Sequence, residues 1–299
     1  MTLFGLGENE LTPLVTAAAG RDLERDEMER LFARAMWTGV AEPGDRIAHC
    51  LVESLGPAVA LRAVLAPWTL GRIREALREA GEHRVTEIEL NQGFERWMPR
   101  LTTADTMAAL RQAARVGARL LAPGDPLWPS GVDDLGDHAP IALWARGRDD
   151  ALASLSRSIA LVGARAATSY GEHVTMEASA GLVDRGHSIL SGAAYGIDGM
   201  AHRAALASHG YTVAILAGGV DRFYPSGHDA LLCRIVEAGA VVSELPCGQA
   251  PTKWRFLQRN RLIAAASLAT VVIEAGWRSG ALNTAGHAAS VGRPVGAVP

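Results

Sequence analysis

The stretch Ser158-Ile-Ala-Leu-Val-Gly163-Ala-Arg165-Ala-Ala-Thr168-Ser-Tyr170-Gly171 decides the fold of this 299-residue chain. Ile159–Val162 is a short apolar run without polar alternation, the pattern of a strand buried on both faces. A small-residue turn begins at Gly163, and a helical pattern over about 172–185 follows it. The unit then repeats. Strand-like runs stand at Ser188–Leu190, Thr212–Leu216, Ala240–Val242, Thr270–Ile273 and Pro294–Val298, separated by helical patterns over about 198–208, 228–238, 257–267 and 281–291. This alternation predicts an α/β domain built on a doubly wound parallel sheet. Right-handed crossovers place the C-terminal ends of its strands on one edge, where such sheets bind ligands.

Toward the N-terminus the pattern changes near Gly117. Residues 118–299 form the sheet region, and Ala118–Leu121 and Pro140–Ala145 are two further apolar runs within it. Residues 1–117 read as a small all-helical domain. Residues 1–20 carry few signals and read as a loose lead-in. Helical spacing runs from Arg21 to Trp37. Asp45 caps a helix over Arg46–Leu55, Pro57 opens another to about Leu65, and two more are expected at Leu70–Ala80 and around Arg84–Leu90. A last helix over Thr103–Val116 is capped by Thr102 or Thr103 and ended by Gly117. This half shows no catalytic constellation.

Charged residues make up 20% and hydrophobic residues 48%, a globular composition, and the formal net charge is −3. Nucleic-acid binding is therefore not announced by bulk charge, and any such site must be a local patch. Cys50, Cys233 and Cys247 are far apart, which suits a reducing compartment and argues against structural zinc. With neither a signal-peptide pattern nor an apolar run of bilayer length, the reading is a soluble cytoplasmic protein.

Five successive strand ends carry Gly, Ser/Thr or Arg. After the first, Gly163 lets backbone N–H groups approach an anion beside a helix start, and Arg165 is placed to grip it. After the second come Ser191 and Gly192, with Asp198 and His202 four apart on the next helix. That pair fits N-capping with a packed imidazole better than a metal or acid/base site. Gly218-Gly219 and Gly276-Trp277-Arg278-Ser279-Gly280 follow the third and fifth. After the fourth comes Pro251–Arg261, PTKWRFLQRNR, where Lys253, Arg255, Arg259 and Arg261 interleave with Trp254 and Phe256 in a window free of acids between Glu244 and Glu274. Such a segment suits a phosphate backbone and a stacked base. It equally suits a solvated loop and helix start with the aromatics packed inward.

The common alternatives fail on particular residues. GxGxxG is absent after the first strand, and the second ends Leu190-Ser191 without an acid for a ribose hydroxyl. Neither GxxxxGK[ST] nor GxSxG occurs, and the histidines do not cluster at metal spacing. No cofactor, metal or catalytic residue is expected.

The motifs taken together resemble the DprA/Smf DNA-processing proteins. Gly163-Ala-Arg165 with Thr168 and Tyr170-Gly171 resembles their GSR…T.YG. Ser191-Gly192 with Gly196-Ile197-Asp198 and Ala201-His202 is similar to SG…GID..AH, and Leu216–Asp221 with Tyr224-Pro225 to LG.G.D..YP. Ser243-Glu244 with Pro246 and Gly248, Phe256 with Arg259-Asn260-Arg261, Glu274-Ala275 with Ser279-Gly280 and Thr284-Ala285, and Gly292-Arg293 through Pro299 continue the series in order. The resemblance is strong over about 118–299 and weaker in the helical half.

It implies an extended Rossmann domain that binds and shields single-stranded DNA and helps load the RecA recombinase, usually as a homodimer, during natural transformation. It implies that Arg165 holds a phosphate, that Lys253 and Phe256 are the basic and aromatic DNA-binding positions, and that Gly163, Ser191 and Gly192 line the pocket. Arg259 and Asn260 join this DNA-binding set. The chain departs from the pattern at Ala164, His228 and Ala281, where Ser, Asn and Ser are usual. It stops at Pro299, where many members continue into a winged-helix domain. Two other functions compete: a nucleotide-binding or nucleotide-processing protein of the related phosphoribohydrolase-like Rossmann group, whose PGGxGTxxE motif is absent, and a pure RecA scaffold.

Overall fold

The computed structural model describes residues 2–66 and 68–299. The helical half opens with two short strands, β1 (Thr2–Leu3) and β2 (Leu6–Gly7), and continues through α1 (Glu8–Ala19), α2 (Arg25–Val40), α3 (Arg46–Leu55), α4 (Pro57–Leu65), α5 (Leu70–Glu79), α6 (Glu87–Trp97) and α7 (Thr103–Val116). The expected loose lead-in is instead a twelve-residue helix, with Glu8 and Glu10 in its first turn and Gly20 closing it in the left-handed conformation. Asp45 caps α3 through the Ile47 and Ala48 N–H groups. Thr102 and Gly117 bound α7 as expected. The helix expected around Arg84–Leu90 starts later and runs to Trp97, because Thr86 and Glu89 form a capping box.

The second half contains β3 (Arg119–Leu121), β4 (Leu143–Gly147), α8 (Asp149–Ala153), β5 (Ser158–Gly163), α9 (Ser169–Asp184), β6 (Ser188–Ser191), α10 (Ile197–Ala207), β7 (Thr212–Ile215), α11 (Asp229–Ala238), β8 (Ala240–Ser243), α12 (Lys253–Ala266), β9 (Ala269–Glu274), α13 (Gly280–Ser290) and β10 (Val295–Ala297). The sheet has eight strands in the order β10-β9-β5-β6-β7-β8-β4-β3. Six are parallel, as expected; β4 pairs antiparallel with β8, and β3 with β4. The fold is thus a mixed, mostly parallel Rossmann-like α/β sheet preceded by a helical region. Runs as short as Leu120-Leu121 carry no sign of strand direction, so the two antiparallel strands are not distinguished in the sequence from the parallel ones.

From β5 to β8 the strands advance in one direction. The next connection, through α12, returns past β5 to β9, so the order reverses between β5 and β9. At such a reversal the crossover helices part on opposite faces and leave a crevice at the strand ends.

Alternate residues of each strand serve opposite faces. Ala145, Ala160, Val162, Val213, Ile215 and Val242 pack with Leu152 of α8, Leu262 and Ile263 of α12 and Ala281 of α13. On the other face Ile189 and Leu161 meet Ile197 and Ala201 of α10. Further along that face Trp144, Ala214 and Val241 join Phe32, Met36, Leu51 and Leu61 of the helical half in one continuous buried cluster. Trp144 Nε1 donates to Thr38 Oγ1 at 3.0 Å within it.

Candidate functional site

The crevice between β5 and β9 is a groove of about 870 Å³. Three strand-end segments build it: Gly163–Arg165 after β5, Pro251–Ile263 around the start of α12, and Gly276–Ala281 before and into α13. Thr252 caps α12 and Ser279 caps α13, so two helix N-termini with their positive dipole ends border the space.

The segment 253–256 is not a loop. α12 begins at Lys253, four residues before the periodicity indicated, because Thr252 accepts the Arg255 N–H at 3.3 Å. Coiling this segment separates its four basic residues. Arg255 turns toward the helical half, where its Nε and Nη2 donate to Glu42 at 3.0 Å, and Nη1 donates to the Ala250 carbonyl at 2.8 Å. Arg261 is buried against Glu244, 2.8 Å away. Only Lys253 is exposed and makes no ion pair among the described residues.

Arg259 borders the groove but is sewn into its floor. The residue is 6% exposed, and Nη1 donates to the Gly192 carbonyl at 2.7 Å and to the Ile215 carbonyl. Burial, together with the nearby Arg165, lowers its pKa to about 10 in spite of Asp198. Asp198 is equally buried. Burial raises its pKa, against the pull of Arg259 and of the backbone N–H groups at Ala194, Gly192 and Gly163. It accepts from the Gly192 and Ala194 N–H groups at 3.2 and 3.4 Å, outside its own helix. His202 is fully buried, 2.7 Å from Thr212 Oγ1, and burial pushes its pKa down to about 3. The expected N-capping by Asp198 is thus corrected: Gly196 is the N-cap of α10, without a side-chain cap, and Asp198 lies inside the helix, holding the Gly192–Ala194 turn instead. His202 is a packed imidazole, as expected.

Of the eight residues selected from sequence, Gly163, Arg165, Lys253, Phe256, Arg259 and Asn260 come together along the groove, whereas Ser191 and Gly192 lie beneath it. Ser191 is 0% exposed and donates to the Leu161 carbonyl at 2.6 Å. A Cβ at Gly192 would lie 2.3 Å from Arg259 Nη1, so this glycine makes room for the guanidinium. The expectation that both line the pocket is thus corrected: they support its floor. Gly163 has a similar packing role, since a Cβ there would stand 2.5 Å from Ile197 Cγ1. Asn260 is mostly committed as well. Its Nδ2 donates to the Gly280 carbonyl at 3.3 Å and to Asn283 Oδ1 at 3.1 Å, tying α12 to the start of α13.

The groups left free form a compact set. Phe256 is half-buried with Tyr224 5.5 Å away, ring to ring, and the Arg165 guanidinium stands 5.6 Å from its ring. Arg165 is exposed and takes no ion pair among the described residues. Three residues not selected from sequence also border the groove: Tyr224, which is 50% exposed, and Trp277 and Arg278 of the β9–α13 turn. Trp277 and Arg278 sit between glycines in a strand-end loop, and that position was the signal available for them. The acidic and basic side chains bordering the groove are Arg165, Asp198, Lys253, Arg259 and Arg278, so a local cationic patch exists in a chain of net charge −3.

Glu274, at the end of β9, accepts from Thr168 N and Oγ1 at 3.0 and 3.1 Å, which ties the Gly163–Gly171 loop to its neighbour. His228, where the motif usually has Asn, donates through Nδ1 to the Ala193 carbonyl at 3.0 Å. No group of three or more His, Cys, Asp or Glu side chains able to hold a metal occurs among the described residues. No single helix among them is long and apolar enough to cross a membrane.

A family model described as DNA recombination-mediator protein A matches residues 119–299. The chain belongs to the DprA/Smf family of DNA-processing proteins. Among DprA/Smf relatives, it is 44% identical over 279 residues to DNA processing protein DprA of Mycobacterium tuberculosis, covering 89% of this chain and 66% of that one. It is 31% identical to DprA of Bacillus subtilis, covering 85% of each. The fold is similar to the X-ray structure of DprA from Streptococcus pneumoniae, with a TM-score of 0.68 at 27% identity over 91% of this chain and 86% of that one. It is also similar to DprA from Helicobacter pylori, solved to describe a single-stranded-DNA binding mode, with a TM-score of 0.55 at 28% identity over 61% and 80% of the two chains.

Proposed function

We propose that the groove binds single-stranded DNA without reading its sequence, and that the chain is a DNA-binding protein rather than an enzyme. One observation carries this reading: Arg165, Lys253 and Arg278, free of ion pairs among the described residues, share one groove with Phe256 and Tyr224. Cations interleaved with aromatic faces suit a phosphate backbone and unstacked bases, and a duplex hides the faces such a groove takes up. Family membership supports the finer steps: protection of the bound strand, loading of RecA onto it by a homodimer in the cytoplasm, and a role in DNA uptake and recombination. The nucleotide-processing alternative finds less support, because Glu274 is engaged by Thr168 and Asp198 is buried.

Fluorescence anisotropy with oligo-dT at graded salt tests the proposal. Log affinity should fall linearly with log salt, with a slope of roughly 0.7 per neutralised phosphate, and a duplex of equal length should bind more weakly. Tighter binding to duplex, or turnover of nucleoside monophosphates, would overturn it.

A further inference from the structure

The chain's tryptophans have opposite fates. Trp37, Trp97 and Trp144 are fully buried, whereas Trp277 is 94% exposed, the most exposed large hydrophobic side chain among the described residues. It stands at the tip of a hydrogen-bonded turn: Ser279 N donates to the Gly276 carbonyl at 2.9 Å, leaving Trp277 and Arg278 at the two corner positions. Both border the groove, and Arg278 makes no ion pair among the described residues.

The base of this turn is held. Asn260 of α12 donates to the Gly280 carbonyl and to Asn283, and Ser279 caps α13 through the Ala281 N–H. The helix that carries Lys253 and Phe256 therefore also fixes the turn that carries Trp277 and Arg278. An indole kept in water on a fixed turn, beside an unpaired guanidinium and a helix N-terminus, combines an aromatic face with two elements that favour an anion.

We propose that Trp277 is a second base-stacking platform, with Arg278 holding the adjoining phosphate, so that the groove engages two bases on separate elements, one at Phe256 and one at Trp277. This rests on the single-stranded-DNA reading and extends it to residues outside the family's basic-aromatic pair. The site is sequence-tolerant, because every base has a face to stack.

The test uses the full chain with Trp277→Ala, Trp277→Phe and Arg278→Gln in anisotropy titrations with oligo-dT, alongside thermal melts. Trp277→Ala should weaken binding by roughly 5- to 150-fold, the range of base–aromatic stacking, without changing the salt slope or Tm. Trp277→Phe should retain most of the affinity. Arg278→Gln should flatten the salt slope by about 0.7. If the wild type binds oligo-dT and Trp277→Ala binds equally well, the second platform is refuted while the groove stands. If the wild type does not bind at all, the single-stranded-DNA reading falls and takes this inference with it.

Discussion

The middle of α12 and the turn between β9 and α13 border the same groove, and they treat their arginines in opposite ways. Arg259 is sunk into the floor, its donors taken by carbonyls at the ends of β6 and β7. Arg278 stands in water with no ion pair among the described residues. Burial makes the difference. A guanidinium without water must satisfy its donors inside the protein, which turns it into a structural joint. One left in water keeps its charge for a ligand. A cluster of basic letters in a sequence is therefore not yet a cationic surface.

The largest effect that could break this contrast is on stability. Arg259→Ala leaves the Gly192 and Ile215 carbonyls without this donor and Asp198 without its nearby cation. Urea denaturation should show a loss on the order of 3 kcal/mol, the scale for breaking a buried charged network. A loss of less than about 1 kcal/mol would mean that Arg259 is no joint and would return it to the ligand-binding set.

Next come the two groove residues on the first turn of α12. Phe256→Ala should cost about 1–3 kcal/mol of oligo-dT affinity through lost stacking, with little change in salt slope. A lower Tm is also expected, because the half-buried ring supports Tyr224. Lys253→Ala should leave Tm unchanged and flatten the slope by about 0.7. Intact affinity in the folded Phe256 variant would reassign the ring to packing alone.

The smallest effect sharpens the comparison through pH. Burial alone would raise the pKa of Glu42, but its hydrogen bonds and charge interactions with Arg255 and Arg100 outweigh burial and hold it below the usual carboxylate value. A depressed folded-state pKa stabilises above the unfolded value, about 4.3, and that contribution fades as pH falls through the folded pKa. Glu42→Gln should therefore lower Tm at pH 7 and converge with the wild type in acid. A constant Tm gap across that range would show that the carboxylate's charge is not what fastens α12.

How much could be read beforehand follows the same division between local and distant partners. The six parallel strands were visible as apolar runs, and the caps at Asp45, Thr102 and Gly117 as single residues, because each depends on its immediate neighbours. α1 lacks a strong hydrophobic periodicity, and the start of α12 rests on the single cap Thr252 ahead of a stretch with no apolar repeat. Lys253, Arg165 and Phe256 were legible from residue type at strand ends. The fates of Arg255 and Arg259 were not, since Glu42 and the carbonyls of Gly192 and Ile215 lie far away along the chain. Ser191 and Gly192 occupy the right loop, but only the Ser191 bond to the Leu161 carbonyl and the seating of Arg259 against Gly192 place them beneath the groove.

The shared core under the sheet has a consequence for anyone who would cut this chain. The matched region begins at residue 119, an inviting start for an expression fragment. A fragment begun there would bare Trp144, Ala214 and Val241 to solvent and strip Arg255 of its carboxylate. Such a piece would present a broad greasy face and a loosened α12, so its weak DNA binding or clumping would report on the cut rather than on the groove.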